Sequence, residues 1–223
     1  AARGESERVM LPETLADLHR SGLLRILQPK RWGGMEFEFA AYVDIPRELA
    51  RGCASTGWNT ANLLIHHWML ALYDERAQEE VWGQNPDALI ASGIAYPQGQ
   101  GRAAEGGFVI GGRWNFSSGV NVADWNMLAV TVREGDRRDG DGRGGDKVVD
   151  HRMCLLHKSE YQVVDDWQVL GMRSTGSMTV VAKDVFVPAH RALCMYEARG
   201  GDRFPGARGN PNPVYRVPLA AAA

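Results

Sequence analysis

Leu11, Leu15, Leu18 and Leu23 recur at helical spacing behind Pro12, and Gly22 closes that run. A turn cluster follows, Gln28-Pro29-Lys30-Arg31-Trp32-Gly33-Gly34. Phe39, Tyr42, Val43, Ile45, Leu49 and Ala50 then mark a second helix over about 37–50, which Pro46 is expected to kink or to begin. A third helix is predicted over 55–73 with Ser55 or Thr56 as its cap. A short fourth is predicted over 75–82, between Asp74 and Gly83. After Pro86 the period shortens. Short runs rich in β-branched and aromatic residues at 88–92, 107–110, 113–116, 125–131, 153–156, 161–164 and 179–187 read as strands. Gly111-Gly112 reads as a hairpin turn, and 134–150 as a solvated loop. Residues 200–213 look like a linker, and 214–220 like the first turn of a helix. The pattern is α+β, with a helical domain over 1–85, a β domain over 86–199, and a linker plus the start of a C-terminal helical domain over 200–223.

Composition narrows the function. A chain of 223 residues, 44% hydrophobic and 23% charged, is long and apolar enough to bury a core. Its net charge of −2 gives no electrostatic footprint for a nucleic acid. Cys53, Cys154 and Cys194 are far apart and form no CxxC pair, so free thiols are expected rather than a zinc knuckle or redox pair. No apolar run approaches the ~20 residues of a membrane span, and the first residues do not resemble a signal peptide. The expectation is a cytoplasmic protein with no membrane partner.

Three clusters are candidates for chemistry, the first two with a plainer reading beside them. On the third helix Trp58, Asn62, His66 and Met69 share one face, which either lines a site or is a packed core stripe. The run Trp114-Asn115-Phe116-Ser117-Ser118-Gly119 ends in two hydroxyls and a glycine. It either offers donors to a planar heterocycle or closes an ordinary strand. Gly171-Met172-Arg173-Ser174-Thr175-Gly176-Ser177 is a hydroxyl-rich turn suited to a ligand edge. Walker and Gly-x-Ser-x-Gly patterns are absent.

Taken in order, these segments resemble the acyl-CoA dehydrogenase-like fold. With Leu27–Gly34, Ser55-Thr56-Gly57-Trp58, the run 71–83, Asp184-Val185-Phe186-Val187-Pro188 and Pro213-Val214-Tyr215-Arg216, the wording is similar to the oxygenase components of two-component flavin-dependent aromatic monooxygenases. Within that family it is nearest those acting on a phenolic secosteroid or p-hydroxyphenylacetate. The resemblance implies an N-terminal helical domain, a middle β-barrel and a C-terminal helical bundle, the last apparently missing after Ala223. It implies hydroxylation of a phenolic substrate with O2 and reduced FMN (FADH2 in some members) by way of a C4a-hydroperoxyflavin. The reduced flavin would come from a separate NAD(P)H:flavin reductase, and the oxygenase would be a homotetramer.

By the same resemblance Trp58 packs on the flavin, and Asn115, Phe116, Ser117 and Ser118 sit at its edge, Ser117 holding the N5 hydrogen. Ser92 and His66 face the substrate hydroxyl, Ser92 also touching the cofactor, and Arg216 brings a positive charge. Two rivals stand beside this reading. One is an acyl-CoA dehydrogenase with tightly held FAD, against which stand Ser117-Ser118-Gly119 and the lack of Thr-Glu-Pro after Ser92. The other is a non-catalytic, truncated subunit that kept the fold.

Overall fold

The computed structural model describes residues 1–94, 98–134, 147–196 and 200–219. Its helices are α1 (Ala2–Glu7), α2 (Pro12–Arg20), α3 (Ala40–Gly52), α4 (Ala54–Leu70) and α5 (Glu75–Trp82). Pro12 opens α2 where its missing N–H costs nothing, and Asp74 caps α5 by accepting from the Arg76 backbone N–H. Pro46 lies inside α3, not at its start. The predicted hydroxyl cap of α4 is corrected. Its N-cap is Cys53, with no side-chain capping bond, and Ser55 Oγ instead donates to Glu5 Oε1 at 2.7 Å.

Eight strands among the described residues form one sheet: β1 (Ile90–Gly93), β2 (Gly99–Ala104), β3 (Gly107–Ser117), β4 (Trp125–Glu134), β5 (Lys147–His157), β6 (Gln162–Val164), β7 (Met178–Pro188) and β8 (Ala192–Cys194). Their order is β6-β7-β3-β2-β4-β5-β8, with β1 parallel to the first part of β4. The hairpin expected at Gly111-Gly112 is not there. Those glycines sit inside the continuous β3 at a register shift against β7, and the turn is one hairpin earlier, at Gly106 with φ +76°. The reason is close packing. Trp114 is fully buried and donates its indole N–H to Ala129 O at 2.8 Å. A Cβ at Gly99 would lie 2.6 Å from its ring, and one at Gly112 would lie 2.7 Å from Gln98 O. The loop expected over 134–150 shrinks, because β5 starts at Lys147; its remainder, 135–146, lies outside the described residues.

Two buried clusters hold helices and sheet together. One joins Leu64, Trp68 and Leu70 of α4 to Met127, Met153 and Leu155 of the sheet; the other joins Leu18, Leu24 and Leu63 to Trp114, Leu128 and Val180. Residues 200–219 are not a free linker. Phe204, Ala207 and Tyr215 are buried in the first cluster, and Tyr215 Oη donates to Leu27 O at 3.0 Å while Trp68 Nε1 donates to Val214 O at 2.8 Å. Of the expected helix start, Val214–Arg216 lie in a short 3-10 turn that ends at Val217 in extended backbone; residue 220 lies outside the described residues.

One carboxylate ties α1 to α4 and to the turn at 173–174. Glu5 accepts from Ser55 Oγ, from the Arg173 and Ser174 backbone N–H groups at 2.8 and 3.2 Å, and from Ser174 Oγ at 3.0 Å. The Ser55 bond leads in holding its carboxyl down at about 2, with the turn residues adding to it. A carboxyl depressed in the fold stabilises fully above its unfolded value of 4.5, and that stabilisation is lost as pH falls toward 2. We therefore expect Glu5→Gln to lose roughly 1–2 kcal/mol of unfolding free energy at pH 7. In denaturant titrations the gap between wild type and variant closes as pH drops below 4.5; a gap constant from pH 7 to pH 3 would contradict this account.

Candidate functional site: an aromatic groove with a hydroxyl edge

At the N-terminal end of α4, the end of β3 and the 167–177 segment meet around a groove of about 470 Å³. Its walls are Trp58, Phe116, Trp167, Ile94 and Met172. Large apolar side chains are normally covered, yet Trp58 is 51% exposed and Phe116 63%. Trp167 packs edge-on against Phe116 with ring centroids 5.3 Å apart, and its indole N–H donates to Met172 O at 3.4 Å. The described lining carries no ionisable side chain.

The polar edge is a run of hydroxyls. Trp58 Nε1 donates to Ser118 Oγ at 2.9 Å, Ser118 Oγ lies 2.8 Å from Ser177 Oγ, and Ser177 Oγ lies 2.7 Å from Thr175 Oγ1. Thr175 Oγ1 donates to Met172 O at 2.9 Å. Asn115 also lines the groove; its Oδ1 accepts from Thr179 Oγ1 at 2.7 Å and its backbone N–H donates to Gln98 Oε1 at 3.0 Å.

Of the residues singled out in the sequence, Trp58, Asn115, Phe116 and Ser118 come together here. Ser117 does not face the groove. It is fully buried, and its Oγ accepts from Asn126 Nδ2 at 2.9 Å. The cause is a register shift between Trp114 and Ser117, three steps on β3 against two on β7, which turns Phe116 outward and Ser117 inward. Ser92 is buried in β1 opposite Met127 and is not part of the lining. Arg216 is elsewhere. It donates to Asp202 Oδ1 at 2.6 Å, Asn210 O at 2.8 Å and Ala207 O at 2.7 Å, clamping the C-terminal segment.

His66 lies two helical turns beyond Trp58, buried, with Nδ1 2.7 Å from Ile90 O. A carbonyl only accepts, so Nδ1 carries the proton and Nε2 the lone pair. Neighbouring His67 makes the same kind of contact to Leu24 O at 2.7 Å. Sequence reasoning missed Trp167, Val169 and Ile94 in the walls. They sit in irregular segments with no periodicity, where only their apolar character amid polar neighbours gave a signal.

Residues 1–84 match the family model for the acyl-CoA dehydrogenase N-terminal domain. The crystal structure of 3-HSA hydroxylase from Rhodococcus sp. RHA1 superposes with a TM-score of 0.90 at 37% identity, over 100% of this chain and 54% of that one. This is the acyl-CoA dehydrogenase-like fold, and the chain is a homologue of flavin-dependent oxygenase subunits. The flavin-dependent monooxygenase oxygenase subunit HsaA of Mycobacterium tuberculosis is 42% identical over 214 residues, 96% of this chain and 51% of that protein. The FADH2-dependent resorcinol hydroxylase oxygenase component of Rhizobium sp. is 37% identical over 209 residues, 93% of this chain and 48% of that protein. The chain thus spans about half the length of the curated relatives it matches. Among the described residues no helix is long and apolar enough to cross a membrane, and no cluster of His, Cys, Asp or Glu could hold a metal ion.

Burial holds both imidazoles, His66 and His67, down at about 4. Relative to an unfolded value near 6.5, such groups stabilise fully above that pH, and the contribution is lost as pH falls through 4. In an NMR titration of the folded chain we expect the His66 ring to stay neutral down to about pH 5. A midpoint near 6.5 for His66 would mean that its ring is solvated.

Proposed function

We propose that this chain supplies the flavin-facing part of an oxygenase that hydroxylates a small phenolic substrate. Reduced flavin, FMN or FAD, would be delivered by a separate NAD(P)H:flavin reductase, and O2 is the co-substrate. The observation that carries the reading is the groove: exposed aromatic walls around an uncharged hydroxyl edge, a shape and chemistry suited to a flat heterocycle with polar atoms along one side. The oxygenase-component names of the relatives support the division of labour with a reductase.

The residues fit a flavin in named roles. Trp58 and Phe116 offer faces for the ring system, with Trp167 bracing Phe116. Ser118 and Asn115 meet its polar edge, and Ser117 supports that edge from behind through Asn126. When bound, reduced flavin activates O2 for transfer of one oxygen atom to an aromatic ring. The apolar walls exclude water from that chemistry. His66, with its lone pair at Nε2, is the residue we assign to orient the phenol by accepting a hydrogen bond from its hydroxyl, with Ser92 two strand positions beyond its Ile90 anchor. A homotetramer is the assembly we expect.

The test is to mix the full chain anaerobically with reduced FMN, admit O2, and follow absorbance and products with and without a phenol. An oxygen-dependent transient that decays faster with phenol and yields hydroxylated product supports the reading. No binding of reduced flavin in the micromolar to millimolar range would sink it. Trp58→Ala should weaken reduced-flavin binding at least ~10-fold by removing one aromatic face. His66→Ala should slow product formation ~10-fold or more while leaving that binding unchanged.

A further inference from the structure

The hydroxyl edge of the groove has only one self-consistent arrangement of protons. At one end the Trp58 indole N–H can only donate, and at the other the Met172 carbonyl can only accept. Between them lie Ser118, Ser177 and Thr175, each with a single hydroxyl proton. Four hydrogen bonds link the five groups, and the indole proton with three hydroxyl protons supplies four donors. Each bond therefore takes one proton, and all point the same way: Trp58 to Ser118, Ser118 to Ser177, Ser177 to Thr175, Thr175 to Met172 O. Reversing any link leaves two donors facing each other or two lone pairs facing each other. Met172 O also receives the Thr175 backbone N–H at 3.2 Å and Trp167 Nε1 at 3.4 Å, which anchors the accepting end.

We propose that Thr175 and Ser177 are positioning residues that hold Ser118 as an obligate acceptor, so that the groove selects a ligand edge bearing an N–H or O–H donor. Ser177 and Thr175 are 3% and 2% exposed, so water does not scramble the seam, while half-buried Ser118 turns its second lone pair toward the groove. Reduction of a flavin converts its central-ring nitrogen from an acceptor to an N–H donor. Resting on the proposed function, the seam thus gives the site a preference for reduced over oxidised flavin; the polarity of the seam does not depend on that function.

The polarity is read first without ligand. In the full chain, Thr175→Val removes the terminal acceptor for Ser177, and the weakening passes up the seam. The Trp58 indole 15N–1H resonance should move upfield in Thr175→Val and return in Thr175→Ser. Ser177→Ala cuts the seam one link earlier and gives the same readout if Thr175→Val does not fold. A Trp58 resonance indifferent to these changes overturns the proposal. Next, anaerobic titrations with reduced FMN and aerobic titrations with oxidised FMN give an affinity ratio. Wild type should favour reduced FMN, and Thr175→Val should narrow the ratio roughly 3–10-fold, the worth of one ordinary hydrogen bond, with Thr175→Ser restoring it. A ratio unchanged in Thr175→Val overturns the selectivity. If wild type binds neither form while the Trp58 resonance responds, the flavin reading fails and the seam stands.

Discussion

Helix α4 is buried on almost every side, and that constraint organises the molecule. A helix hidden all round cannot leave polar side chains unpartnered without a cost of about 1–3 kcal/mol each. Several of the polar groups it carries therefore fasten other parts of the chain, although Asn59 Oδ1 and Thr60 Oγ1 find no partner among the described residues. His67 meets the carbonyls of Leu24 and Ala88, and His66 that of Ile90 in β1. Asn59 Nδ2 reaches Ser174 O, Ser55 reaches Glu5, and the Trp68 indole reaches Val214. Helical layer, sheet, turn and C-terminal segment are aligned by bonds to one post. Trp58 stands at the one end of that post that opens to solvent.

The groove inherits its precision from this frame. Its hydroxyls come from Ser118, just past the end of β3, and from the turn at 172–177, which neither core cluster encloses. Instead the turn is held by Glu5 from below, and the preceding segment by Arg8, whose guanidinium grips Asp165 at 2.6 and 2.7 Å. Arg113 and Thr179 fix Asp166 in the same stretch, at 2.7 and 3.0 Å. Polar contacts thus do on the groove side what apolar packing does elsewhere.

What the residue pattern disclosed follows the same division. Local chemistry was readable: the Asp74 cap, Pro12 at the start of α2, the apolar runs of β4 and β7, and the hydroxyl-rich turn at 171–177. Long-range geometry was not. The pair Gly111-Gly112 has the letters of a turn, but serves a close approach to Gln98 and Trp114 that no local window contains. β2, Gly99–Ala104, hides its strand character because glycines stand where apolar residues alternate in other strands. A two-residue alternation puts Trp114 and Phe116 on one face, whereas the bulge before Ser117 separates them and exchanges the roles of the two serines. The family resemblance named Trp58, Asn115, Phe116 and Ser118, which line one groove, and also Arg216, which lies away from that groove and bonds Asp202.

Helix α1 has one buried residue, Gly4, and no apolar face, so periodicity gave no reason to assign it a role. Yet Glu5 holds the turn that carries Thr175 and Ser177, and Arg8 holds the Asp165–Trp167 stretch before it, although neither lines the groove. Residues 1–8 therefore work as a latch on a distant pocket. A protease cut within them would leave every lining side chain in place and still slacken the rim, so ligand affinity becomes a gauge of whether these eight residues are intact.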